Sequence, residues 1–166
     1  KQGLIPVFAV YSTFFQRSYD MLMHDIAIDH IHAVFGIDRA GLVGDDGETH
    51  HGLFDLGFLQ TIPGITVLCP ASLDELSDML ERAVHRMDGP VAVRYPRGGE
   101  NFYIENHSDA PDYLLKDGTD LTIVTFGTLT GNCLAVADRL QQEGISAQVL
   151  KLNQLVPLPT ELALDC

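Results

Sequence analysis

The chain moves between two rhythms of apolar and polar residues. Short apolar runs stand at Val7 to Val10, Ala33 to Ile37, Thr66 to Leu68, Val91 to Arg94, Leu121 to Thr125 and Ala147 to Leu150, and stretches of helical period lie between them. A run that short and that evenly apolar fits a strand covered on both faces, because a strand with one wet face would alternate. The pattern predicts an α/β fold: a parallel sheet flanked by helices, followed by the start of a second α/β domain.

Three helices are legible in the polar-rich stretches. After Val10, Thr13 and Gln16 form a possible capping box, and Phe15, Tyr19, Leu22, Met23 and Ile26 share one face. A second box, Ser72 with Glu75, opens a helix whose apolar positions are Leu73, Leu76, Met79, Leu80, Ala83, Val84 and Met87, ended by Asp88-Gly89-Pro90. The third, around Asn132 to Glu143, carries Leu134, Val136, Ala137 and Leu140, with Gly144 where a C-terminal cap belongs. Between the last two, Glu105 to Asp112 is polar, contains Pro111 and has no period. That places the domain boundary: residues 1–107 form the first domain, 108–118 a linker, and 119–166 a second domain with room for two strands and one helix. So small a second unit predicts a chain truncated at its C-terminus.

Charge and composition then remove several function classes. A formal net charge of −13 on 166 residues argues against wrapping nucleic acid or binding an anionic membrane, since both demand clustered cations. No apolar run approaches the roughly 20 residues of a membrane span, and the first residues lack the features of a signal peptide, so a cytoplasmic protein is expected. Cys69, Cys133 and Cys166 show no CxxC spacing, and His30 with His32 has no third ligand nearby, so no metal site is indicated. With only ten Lys and Arg in the chain, it matters that Arg17, Arg39, Arg94 and Arg97 all fall in or beside the three loops singled out next.

Ligands of open parallel sheets bind beyond the carboxyl ends of the strands, which makes three loops the candidates. Tyr11 to Arg17 is an aromatic and cationic run at a helix start, with rings able to stack on a flat heterocycle or to serve as core. Asp38 to Gly52 holds four glycines, an arginine, several carboxylates and the His50-His51 pair, offering anion binding and proton transfer together. A structureless connection of that length inside a compact domain is usually functional. Tyr95-Pro96-Arg97-Gly98-Gly99 presents an arginine from a turn, suited to a phosphate or carboxylate, or else to a surface ion pair with Glu100 or Glu105. Arg94 reads as structural.

Taken together, Tyr11 to Asp20, then Asp38-Arg39-Ala40-Gly41-Leu42-Val43-Gly44 with Asp46-Gly47 and Thr49-His50-His51-Gly52, and finally Arg94-Tyr95-Pro96-Arg97-Gly98 resemble the 1-deoxy-D-xylulose-5-phosphate synthases of the transketolase superfamily in wording, order and spacing. The resemblance runs over nearly the whole chain, from the pyrimidine-binding domain into the transketolase C-terminal domain. It implies a thiamine-diphosphate-dependent transferase that condenses pyruvate with glyceraldehyde 3-phosphate for isoprenoid, thiamine and pyridoxal synthesis. It also implies site residues: His50 and Asp46 as catalytic groups, Tyr11, Arg39 and Arg97 as substrate-binding groups, and Phe14 with Arg17 at the cofactor. Two parts of the family pattern are missing. The Glu that activates the aminopyrimidine and the Gly-Asp-Gly domain that holds the diphosphate and Mg²⁺ both belong to sequence upstream of Lys1. The isolated chain is therefore expected to be inactive, with a homodimer as the expected assembly once the missing N-terminal domain is present. Other readings on the same scaffold are a different superfamily subunit and a noncatalytic association domain.

Overall fold

The computed structural model describes residues 3–99 and 102–159. Its first unit is a five-stranded sheet in the order β1-β2-β4-β3-β8, built from β1 (Val7–Tyr11), β2 (Ala33–Asp38), β3 (Thr66–Leu68), β4 (Pro90–Arg94) and β8 (Gln154–Val156). The first four run parallel, and β8 lies antiparallel on β3. A second sheet has the order β5-β7-β6, with β6 (Leu121–Phe126) parallel to β7 (Ala147–Leu152) and β5 (Asp112–Lys116) antiparallel to it.

The central strands β2, β3 and β4 are buried on both faces, which is why they read as unbroken apolar runs, whereas β1 lies at the sheet edge with Val7 and Phe8 exposed. Ala33, Phe35 and Ile37 of β2, Val67 of β3 and Ala92 of β4 pack with Phe15, Leu22 and Leu59 on one face. Their neighbours Val34, Leu68, Val91 and Val93 point the other way and meet Met79 and Ala83 of α4 (Leu73–His85). The period-2 geometry of a strand sorts alternate residues into the two cores.

The helices show where local signals hold and where they yield. Ser72 caps α4, its Oγ accepting the Glu75 N–H at 3.2 Å. The Glu75 carboxylate reaches back to the N–H of Ala71 rather than to that of Ser72. The expected Thr13–Gln16 box does not form. The helix begins two residues earlier as α1 (Ser12–Phe15), with Tyr11 at the N-cap and no side-chain cap, and Thr13 gives its hydroxyl to the Thr49 carbonyl at 3.1 Å. The run then passes through 3-10 turn Gln16–Ser18, α2 (Tyr19–Met21) and π-helical Leu22–Ala27. Phe15 and Leu22 are buried as expected, while Tyr19 is half-exposed and its hydroxyl meets Thr61 Oγ1 at 2.9 Å. Two more helices complete the set: the short α3 (Asp55–Leu59), which no periodicity announced, and α5 (Thr130–Gln142). In α5, Ala137 is buried but Val136 faces outward. Gly144, at φ +84°, closes α5 by the Ile145 N–H to Leu140 carbonyl bond of 3.0 Å, a geometry that favours a residue without a Cβ.

The stretch 108–118, read as a linker, contains β5. Its Tyr113 and Leu114 pair with β7, the register shifts at Leu115, and the Pro111 carbonyl accepts from the N–H groups of both Asn153 and Gln154 at 2.9 Å. The two units are thus joined by backbone. A buried ion pair reinforces the joint: Lys151 Nζ of β7 lies 2.7 Å from Glu75 Oε1 of α4, both side chains fully buried. Asn153 adds bonds to the carbonyls of His107 and Ala110. Among the described residues no helix is long and apolar enough to cross a membrane.

Candidate active site

Strands β1, β2 and β4 lie side by side and end together, so the three candidate loops leave the sheet at one edge. Because β1 runs straight into α1, the Tyr11 and Phe14 rings stack, with centroids 5.6 Å apart and planes within 14°. Phe14 is 36% exposed. His50 closes the 3-10 turn Glu48–His50 and meets both rings edge-on, at 5.3 Å from Phe14 and 6.3 Å from Tyr11. Thr13 holds that turn through the Thr49 carbonyl, and the Thr49 hydroxyl engages His50 Nδ1 at 2.9 Å. Nε2 is left as the ring nitrogen for a ligand. The Arg17 guanidinium lies 5.4 Å from the Phe14 centroid.

Arg39 adopts φ +59°, a left-handed conformation uncommon outside glycine. Asp38 holds it there: the carboxylate accepts the Arg39 backbone N–H at 2.6 Å and pairs with its Nη1. The guanidinium then lies 3.7 Å above the Tyr11 ring, while Nε donates to Asp46 Oδ2 at 2.9 Å. Arg97, arriving from the end of β4, sets Nη1 3.2 Å from the other oxygen, Asp46 Oδ1. A single carboxylate gathers two guanidinium groups from two strands. Desolvation would lower the Arg39 pKa, but the Asp46 hydrogen bond and the Asp38 charge outweigh it, so the group is held above its ordinary value.

The loop between these groups is pinned where it crosses itself. Gly41 and Gly52 exchange backbone bonds of 2.8 Å in both directions. A Cβ on Gly52 would sit 2.4 Å from the Arg39 carbonyl and 2.5 Å from Ser12 Oγ, so only glycine lets the His50 turn approach Arg39. Beside it, the buried Ser12 hydroxyl has no hydrogen-bond partner among the described residues. At the base, Asp55 opens α3 and accepts from Arg94 Nε at 2.7 Å and from Nη2 at 3.2 Å. A cavity of about 350 Å³ borders the arginines, walled by Asp38, Arg39, Ser72, Tyr95, Arg97 and Thr128 among others. It stops short of Tyr11, Phe14, Asp46 and His50.

The structure therefore brings together Tyr11, Phe14, Arg17, Arg39, Asp46, His50 and Arg97. Arg97 pairs with Asp46, and Glu105 pairs instead with His107 at 3.0 Å, while Glu100 lies outside the described residues. Thr13, Thr49 and Asp55 were not anticipated as members of the site. Among the described residues no group of three or more His, Cys, Asp or Glu side chains is placed to hold a metal ion.

Residues 1–100 match the family described as transketolase, pyrimidine binding domain. The chain belongs to the transketolase family. Residues 113–166 match that family's C-terminal domain. A 1-deoxy-D-xylulose-5-phosphate synthase of Chlorobium phaeovibrioides is 46% identical over 166 residues, covering 97% of this chain and 26% of that protein. The synthase of the same name from Heliobacterium modesticaldum is also 46% identical, with the same coverage. The chain thus spans about a quarter of the length of the relatives it matches. Among solved structures, one titled a split gene transketolase, inactive beta4 tetramer, superposes with TM-score 0.87 and 27% identity over 98% of this chain and 54% of that one. A transketolase mutant from Pichia stipitis superposes with TM-score 0.81 at 19% identity over 90% of this chain and 23% of that one, a likeness of fold.

Proposed function

We propose that this chain carries the substrate-facing part of a thiamine-diphosphate-dependent transferase. The reaction joins pyruvate to glyceraldehyde 3-phosphate, releases carbon dioxide and forms 1-deoxy-D-xylulose 5-phosphate. The observation that supports it most is the junction at Asp46, where Arg39 and Arg97 converge, with the Tyr11 ring linking Arg39 to the imidazole of His50. Fixed, paired guanidinium groups suit a phosphate, and Asp46 keeps two cations at close quarters before a ligand arrives.

The cofactor's pyrimidine end fits the residues present. Phe14 offers an exposed ring already ordered by Tyr11, and Arg17 stands next to it. Thiamine diphosphate, when bound, supplies the electron sink that lets a 2-oxo acid lose carbon dioxide and its acyl carbon add to an aldehyde. The chain's own groups do the rest. Arg39 and Arg97 hold the phosphate, Tyr11 supports Arg39 from beneath, and His50 Nε2 donates to substrate oxygens and exchanges a proton with the aldehyde oxygen as it becomes a hydroxyl. Ligands for the diphosphate and Mg²⁺ would come from a further domain of the gene product or from a second chain, so the 166 residues alone are expected to be inactive.

The test is product formation by the whole gene product and by the 166-residue chain in parallel. The expected result is 1-deoxy-D-xylulose 5-phosphate from the former and background turnover from the latter. Transfer from a ketose donor to a pentose phosphate acceptor would instead make it a transketolase. A second reading, an association module without turnover, draws on the likeness to the chain titled an inactive tetramer. It would be supported by a whole gene product inactive with every donor and acceptor pair.

A further inference from the structure

Two ties connect the segment carrying His50 to β4 and the loop after it that carries Arg97, and they differ in kind. At the tip, Arg97 meets Asp46 with its side chain 45% exposed, where water and salt weaken the attraction. At the base, Asp55 and Arg94 are paired with side chains 0% and 11% exposed, through two hydrogen bonds from one guanidinium face. A buried fork of this type tolerates little change in distance or angle. Its position matters as much as its strength. Asp55 follows directly on the crossing at Gly52 and begins α3, and Arg94 is the last residue of β4 before Tyr95. Tyr95 in turn bonds β2 on both sides, its N–H to the Ile37 carbonyl and its carbonyl to the Ala40 N–H, each at 3.0 Å. The ties thus close a ring: β2 exit, Gly41, Gly52, Asp55, Arg94, Tyr95 and back to β2.

We infer that Asp55 and Arg94 are a positioning pair that sets the separation between the His50 imidazole and the Arg97 guanidinium, and so matches the site to the length of a phosphorylated aldehyde. The inference rests on the reaction proposed above. The pair touches neither substrate nor cofactor. It acts by holding two loops at a fixed span, and misplacement of about 1 Å in such a span can cost on the order of 100-fold in rate.

The test compares wild type, Asp55→Asn and Arg94→Lys in the whole gene product, with glyceraldehyde 3-phosphate and with unphosphorylated glyceraldehyde as acceptors. An acceptor gripped at both ends depends on the span; one held only at its aldehyde end depends on it less. The expected result for Asp55→Asn is a loss of kcat/KM of about 100-fold for the phosphorylated acceptor, carried largely by KM, and less than about tenfold for the other. Arg94→Lys keeps the charge but not the fork and should fall between, and it carries the same comparison if Asp55→Asn does not fold. Equal losses for the two acceptors, or none, would overturn the inference, because a purely architectural pair lowers stability without changing that ratio. Amide hydrogen exchange gives a reading that does not depend on the reaction: residues 52–59 and 95–99 should exchange faster together in Asp55→Asn, and unchanged exchange would also overturn it. If wild type makes no 1-deoxy-D-xylulose 5-phosphate, the proposed reaction fails on its own, and the exchange result still decides whether the pair ties the two segments.

Discussion

The two units of the chain are assembled from the same parts and use their charged residues in opposite ways. In the first unit, β1 runs into a helix through Tyr11 and Ser12, and cations gather at the neighbouring strand ends, partly open to solvent. In the second, β6 runs into α5 through Gly127, Thr128 and Leu129, and no charged side chain stands in that connection. Its notable charge is Lys151, buried near the end of β7 and paired with Glu75 of the other unit. The first unit leaves the charges at its strand ends partly open to solvent; the second spends a charge on joining. The difference explains how a strongly acidic chain can still concentrate arginines at one edge, and it separates residues whose loss should appear in kinetics from those whose loss should appear in stability.

The sharpest way to break the comparison is at the joint. Lys151→Ala would leave Glu75 buried without its cation, although the N–H groups of Ala71 and His107 still bond to it. Stranding a buried charge typically costs about 3–5 kcal/mol, so denaturant unfolding should show a loss of that order. Replacing both partners by apolar residues of similar volume, as in a Glu75→Leu and Lys151→Met double variant, should recover only part of it, because no uncompensated charge remains but the N–H groups of Ala71 and His107 lose their acceptor. A double variant as unstable as the single one would mean that the pair has a role beyond mutual neutralisation.

Next in size is the effect of removing a cation from the open site. Arg97→Ala should leave thermal stability nearly unchanged, since its pair with Asp46 is partly solvated. It should lower kcat/KM for glyceraldehyde 3-phosphate by about 100-fold in the whole gene product, the scale of a lost charge-assisted contact to phosphate. Arg97→Lys should recover only part, as a point charge cannot reproduce the planar fork. A stability loss as large as that of Lys151→Ala would erase the distinction between the two regions.

How much of this was written in the sequence follows the same line. Six strands and the helix after Ser72 were legible because their signals are local: apolar runs, a cap, a terminating glycine. β5 and β8 were not, since a short strand such as Gln154–Val156 is specified by the partner edge it meets on β3. Thr13 failed as a cap because β1 runs directly into a helix that starts at Ser12, which places Thr13 inside the first turn, where its hydroxyl donates to the carbonyl of Thr49, distant in sequence. The loop residues that gather at the strand ends were found from glycine density and the placement of scarce cations. Asp55 was passed over although a signal existed. An acid embedded in Leu53-Phe54-Asp55-Leu56 and an arginine closing the apolar run Val91 to Val93 each need a buried partner, and they supply one another.

The smallest expected effect tests where the site ends. Ser72 caps α4 and also borders the cavity that Arg39 and Arg97 wall, so it belongs to the scaffold by its hydrogen bonds and to the site by its position. Its hydroxyl accepts the Glu75 N–H at 3.2 Å and donates to the Glu105 carbonyl at 3.2 Å. Ser72→Ala should therefore cost about 1 kcal/mol of stability, the ordinary value of a lost N-cap. Its KM for glyceraldehyde 3-phosphate should stay at the wild-type value, because both hydrogen bonds of that hydroxyl go to backbone groups and neither goes to an arginine. A KM that rises with that substitution would extend the site past the arginines toward α4, and the boundary between the region that binds and the region that joins would have to be drawn at the second unit itself.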